Sequence, residues 1–140
     1  YVDSWGLQIP ADVSEISKVS FCIHCQSRKD FIRTWSRVDR RCVSFCFSLS
    51  RWVWACHYGR EYNFGAVWIN LPGLPLPLQN PSILAVVGDS LGKFLYVDDS
   101  TKTLLDAANP QICVEMNLAV RFLPGFRIRS PEGQDWWQRL

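Results

Sequence analysis

Cys22-Ile-His-Cys25 is the first place in this 140-residue chain where metal-binding side chains stand at a metal-binding spacing. A two-residue spacer lets two thiolates share one ion only if the backbone turns between them. Here the pair lies in Val19-Ser-Phe-Cys-Ile-His-Cys25, whose composition predicts a strand. Strand positions three apart point to opposite faces, which separates the two sulfurs. Cys42 and Cys46 do not repeat the spacing, and Asp30 stands where a C-x2-C-x4-H-x4-C knuckle needs histidine. The expectation is no metal. The cysteines read as reduced, mostly buried thiols, the remaining two being Cys56 and Cys113.

Catalytic constellations are equally thin. His24 and His57 are the only histidines, and Cys56-His57 adjacency does not make a nucleophile–base dyad. Asp98-Asp99 is a paired-acid turn of the kind usually solvated. Gly88-Asp-Ser-Leu-Gly92 lacks the lysine of a phosphate loop. The chain is therefore expected to be no enzyme, with no catalytic residue, no cofactor and no small-molecule substrate.

Charge is more informative. The net charge is only +2, yet residues 28–60 hold eight basic groups against Asp30 and Asp39. Residues 61–140 are slightly acidic. Within the basic segment arginines alternate with aromatics: Arg33-Thr-Trp35, Arg51-Trp-Val-Trp54 and Tyr58-Gly-Arg60. Guanidinium groups neutralise phosphates and aromatic rings stack on bases, the pairing that single-stranded nucleic acid requires. Arg33, Arg37, Arg40, Arg41, Arg51 and Arg60 are the candidate phosphate contacts, with Trp54 and Tyr58 as stacking groups. The competing reading makes the tryptophans core residues rimmed by arginine.

These residues need elements to hold them. Strand composition runs over 18–26. Ser27 then caps a short helix with the stripe Phe31, Ile32, Trp35, ending near Arg37. Cys42–Trp52 alternates, with Val43, Phe45, Phe47 and Leu49 on one face, and predicts a half-buried strand. Ala66–Leu71 predicts another. Pro72, Pro75, Pro77 and Pro81 then form a stiff bridge into a helix opened at Ser82, with Ile83, Leu84, Val86, Val87 and Leu91 as its stripe and Gly92 as its C′ residue. Lys93–Val97 and Ile112–Leu118 predict strands around a polar turn at Asp98–Lys102. Arg121–Arg129 is a last extended piece. The fold class is α+β: a mostly antiparallel sheet with two short helices on one face, of split βαβ or RNA-recognition-motif-like type. A lead-in over 1–16, one domain over 17–130 and a tail over 131–140 are expected.

With 48% apolar residues and seven tryptophans the chain can build a core. Its apolar runs fall far short of the ~18 residues of a membrane span. It opens at Tyr1 without a cationic-then-apolar leader, so a fragment or trimmed chain, and an intracellular, nuclear or cytoplasmic location, are expected.

Several blocks in the second half have a familiar order. Val67-Trp-Ile-Asn-Leu-Pro-Gly-Leu-Pro75, Ile83-Leu84 with Val87-Gly88 and Leu91-Gly92, Val97-Asp98 with Thr101, and Gln111-Ile-Cys-Val-Glu-Met-Asn-Leu118 follow one another. Together they resemble the hallmarks of a plant family, domain of unknown function 4283, found in LINE-type retrotransposon-derived proteins. The resemblance covers roughly residues 40–140. It implies a position upstream of a CCHC zinc knuckle, which this chain does not contain. Asn109-Pro110-Gln111 stands where relatives often have basic residues. The expected function is non-enzymatic binding of nucleic acid, RNA ahead of DNA, with weak sequence preference. The alternative is a protein-interaction or self-assembly module using Trp136-Trp137 and the Pro-Leu loop as an apolar patch.

Overall fold

The computed structural model describes residues 2–37, 41–42, 45–53, 63–130 and 133–140, with backbone alone at Asp3, Ser4, Arg41, Cys42 and Phe45. The chain is α+β, and its described strand pairings are antiparallel. Where one domain over 17–130 is expected, contacts divide the chain into two compact units, Tyr1–Ser50 and Arg51–Leu140. No helix among the described residues is long and apolar enough to cross a membrane.

In the first unit the lead-in expected over 1–16 forms regular elements. Val2–Trp5 is a 3-10 turn, and β1 (Asp12–Ser17) pairs with β2 (Ser20–His24). Every residue of β1 is exposed, so backbone pairing rather than a buried stripe holds it. The cap at Ser27 is as expected: its side chain accepts from the Lys29 and Asp30 amides and starts α1 (Arg28–Trp35). The 42–52 run departs from expectation. β3 (Arg41–Cys42) and β4 (Phe45–Cys46) pair with each other as two short strands. Period-two alternation does not distinguish one long strand from two facing ones.

In the second unit β5 (Phe64–Asn70) leads through the prolines to α2 (Pro81–Leu91), then β6 (Lys93–Val97), the single-turn α3 (Asp99–Lys102), β7 (Gln111–Asn117), β8 (Gly125–Arg129) and β9 (Asp135–Arg139). The central sheet has the order β5-β7-β6. β5 and β6 each run antiparallel to β7, so they are parallel to one another on either side of it. Helix α2 crosses between them and packs on β6 and β7. The core joins Ile69, Leu71, Leu74, Leu84, Val97, Ile112 and Val114.

The proline bridge serves this packing. Leu71 and Leu74 are buried, while the amides of Leu71 and Gly73 bond Pro110 O and Ala108 O. The buried Gln79 amide donates to Leu74 O at 2.7 Å and Ala107 O at 2.8 Å. Pro81 takes the first helical position, where its missing N–H costs nothing, and Asn80 caps.

Three details of the expected second unit change. The inward stripe of α2 is Leu84, Val87, Gly88 and Leu91; Ile83 and Val86 are exposed. Gly92 is not a left-handed C′ residue: its φ is 178°, and it is glycine because a Cβ there would lie 2.5 Å from Glu115 O. The expected tail over 131–140 contains a strand, because Asp135–Arg139 pairs with β8 through its whole length.

Candidate nucleic-acid interface

Helix α1 separates its charges by sign. Asp30 is 1% exposed, and its two carboxylate oxygens accept from the Gln8 amide at 2.8 Å and the Ile9 amide at 3.2 Å. Thr34 and Trp35 share that buried side, with Phe31 stacked on Trp35. Arg28, Lys29 and Arg33 occupy the exposed side. With its single acid turned inward, the helix presents only positive charge to solvent, and none of these three groups meets a carboxylate among the described residues.

The predicted phosphate contacts have further roles. Arg33 donates from Nη1 to the Gly6 carbonyl oxygen. The Arg37 guanidinium lies 4.7 Å from the centre of the Trp5 ring, which is itself buried and stacked on Phe47. The two arginines therefore tie the lead-in to α1 and to the segment just after it. Arg51 belongs to the second unit, where Nη1 lies 3.5 Å from Oε2 of buried Glu115, and Lys93 approaches the same oxygen at 3.9 Å. Arg41 is described by backbone alone, and Arg40, Trp54, Tyr58 and Arg60 lie outside the described residues. Trp35 is sealed inside at 3% exposure, so the arginine–aromatic alternation there is a rim and core, not a stacking pair.

The sheet face turned away from α2 carries a row of Trp68, Cys113 and Tyr96 across its strands, and a row of Ala66, Glu115 and Lys93. Its centre is closed: Cys113 is fully buried and Glu115 only 5% exposed. Tyr96 is engaged by Lys102, whose Nζ lies 3.5 Å from the ring centre, and by the Asp99 carboxylate. Asp98 caps α3 through the Ser100 amide. The acidic pair thus serves the expected polar turn, which is a single helical turn.

The β8–β9 ribbon joins the expected extended piece Arg121–Arg129 to a strand within the expected tail and places charge on both. Phe126 and Ile128 pack on the core, so alternation turns Arg127 and Arg129 outward. Opposite them Gln138 is buried, while Asp135, Trp137 and Arg139 are exposed. Trp136 and Trp137 therefore fall on opposite faces and form no joint apolar patch. The signal lay in Arg127-Ile-Arg129 and Trp137-Gln-Arg139, each alternating with period two.

Beside β5, a cavity of about 230 Å³ is lined by Val67, Ile69, Leu91, Met116, Phe122 and Leu123 among others, and no lining side chain is charged. The Cys25 thiol, beyond the end of β2, lies 3.7 Å from Thr34 Oγ1. Among the described residues no three His, Cys, Asp or Glu side chains gather to hold a metal ion.

Comparison with family models, curated proteins and solved structures gives no match.

Proposed function

We propose that this chain is a non-enzymatic module that binds single-stranded nucleic acid, RNA ahead of DNA, weakly and with little sequence preference, in an intracellular setting. The observation that supports this most is the outer side of α1: Arg28, Lys29 and Arg33 stand exposed with no carboxylate among them, because Asp30 is buried against the lead-in. Such a surface releases counterions when it meets a polyphosphate.

The second unit is proposed to be of the split βαβ, RNA-recognition-motif-like type, on the β5–α2–β6 crossover with β7 between its strands. Its closed sheet centre argues against that face as the base platform. Membership of the plant family is likewise proposed. In its support, the V-W-I block falls on β5, the helix block on α2, Val97-Asp98 with Thr101 at the β6–α3 junction and the C-V-E block on β7.

Fluorescence anisotropy with a labelled oligouridylate at two salt concentrations tests the reading. Binding is expected at low salt and to fall as salt rises. Replacing both Arg28 and Lys29 by glutamine is expected to flatten the slope of log K against log salt by about 1.4, at about 0.7 for each phosphate no longer neutralised. Binding undetectable at low salt, or indifferent to salt, overturns the proposal.

Self-association is the second reading. It is favoured by Leu118, Val120, Phe122 and Leu123, all about half exposed or more within one short segment. Light scattering across a dilution series separates the two: oligomers that form with concentration and ignore RNA favour the second.

A further inference from the structure

The outer face of the β8–β9 ribbon combines three arginines, one acid and one exposed indole. Arg127 stands directly across from Trp137, Arg129 from Asp135 and Gly125 from Arg139. Arg129 closes one end by a two-pronged pair with Asp135, Nε to Oδ1 at 3.0 Å and Nη2 to Oδ2 at 3.3 Å. Arg127 and Arg139 meet no carboxylate among the described residues. They flank Trp137 from the facing strand and from two positions along its own, so both guanidinium groups can reach past the indole.

The indole is placed by the backbone beneath it. A Cβ on Gly125 would lie 2.8 Å from Cε2 and from Nε1 of Trp137, and 2.3 Å from Gln138 O. Trp137 therefore leans diagonally across the ribbon onto the one residue of β8 that has no side chain to obstruct it. It remains 57% exposed. A large apolar ring resting on glycine, with cations on both sides that meet no carboxylate among the described residues, suits a ligand that is itself a flat ring tethered to anions.

We infer that this face is a binding site for single-stranded nucleic acid, in which an unpaired base stacks on Trp137 while Arg127 and Arg139 hold the flanking phosphates. The charge complementarity selects a polyphosphate over an acidic peptide because the cations bracket an aromatic platform, and stacking requires an unpaired base. The inference deepens the proposed function by adding a site outside the basic segment 28–60, and it rests on that reading.

The test uses the whole chain and a labelled oligouridylate. Trp137→Ala is expected to weaken binding about tenfold at fixed salt. Arg127→Gln with Arg139→Gln is expected to reduce the salt slope by about 1.4. The arginine pair leaves the inward face of the ribbon untouched, so it stays informative if Trp137→Ala unpairs the strands. Ultraviolet crosslinking of the unaltered chain, mapped by mass spectrometry, is expected to mark β8–β9. If the unaltered chain binds with salt dependence but these variants bind like it and the crosslinks lie elsewhere, the ribbon site is overturned and the proposed function stands. If the unaltered chain does not bind at low salt, both fall. A duplex that competes as well as the single strand overturns the stacking role.

Discussion

Removing the Asp30 carboxylate tests how the lead-in is held. In Asp30→Ala the Gln8 and Ile9 amides lose the oxygens they reach at 2.8 and 3.2 Å. Hydrogen bonds to a charged acceptor contribute about 1.5–3 kcal/mol each. Two such bonds at a site 1% exposed make the expected loss of local stability about 3 kcal/mol or more. That corresponds to roughly a hundredfold change in an opening equilibrium. Amide hydrogen exchange reads it residue by residue. Gln8 and Ile9 are expected to exchange on the order of a hundred times faster. The Gln111 amide, which bonds Thr101 Oγ1 at 2.8 Å in the other compact unit, is expected to be unchanged. Helical circular dichroism checks that α1 survives, since Ser27 still caps it. Unaltered exchange at Gln8 and Ile9 with α1 intact would refute the argument. The remaining contacts of the lead-in, among them the Arg33–Gly6 bond, the Arg37–Trp5 contact and the Trp5–Phe47 stack, would then be what holds it.

Other substitutions separate packing from capping. Gly92→Ala is expected to destabilise the second unit by about 1–3 kcal/mol in denaturant unfolding, because its Cβ meets backbone at Glu115 O that has no rotamer to change. Leu84→Ala, at a fully buried position of α2, is expected to cost about 2–5 kcal/mol by the same measurement. Ser27→Ala removes the acceptor of two amides and is expected to cost about 1 kcal/mol, seen as lost helical signal from a helix of 8 residues.

What could be read from the chain was what local rules decide. The Lys93–Val97 strand has the bounds its pattern predicts, and α1 starts at the cap Ser27 offers. β7 is one residue displaced from Ile112–Leu118, within ordinary fraying. β9 was hidden because Trp136-Trp137 looks like an apolar pair until its alternation is matched to that of β8. β1 was hidden because it buries nothing. The basic character of 28–60 was legible as charge. The partners of its arginines were not, since Gly6 lies 27 residues from Arg33 and Glu115 lies 64 from Arg51. Spacing along a chain does not encode contacts at such separations.

Those partners decide which cations can report on binding. Neutralising Arg33 also releases Gly6, and neutralising Arg37 uncovers Trp5, so either change alters the lead-in as well as the charge. Neutralising Arg51 leaves Glu115 with one less cation in a site where an uncompensated buried carboxylate is costly. A loss of affinity in any of these variants would mix electrostatics with folding. Arg28, Lys29, Arg127 and Arg139 are exposed and meet no carboxylate among the described residues. Their removal changes charge with little else, so the salt slope assigns phosphate contact to one surface or the other. A slope that falls only with the α1 pair places the polyanion on the first unit. One that falls only with the ribbon pair places it on the second. Equal decrements mean that both surfaces carry phosphate contacts.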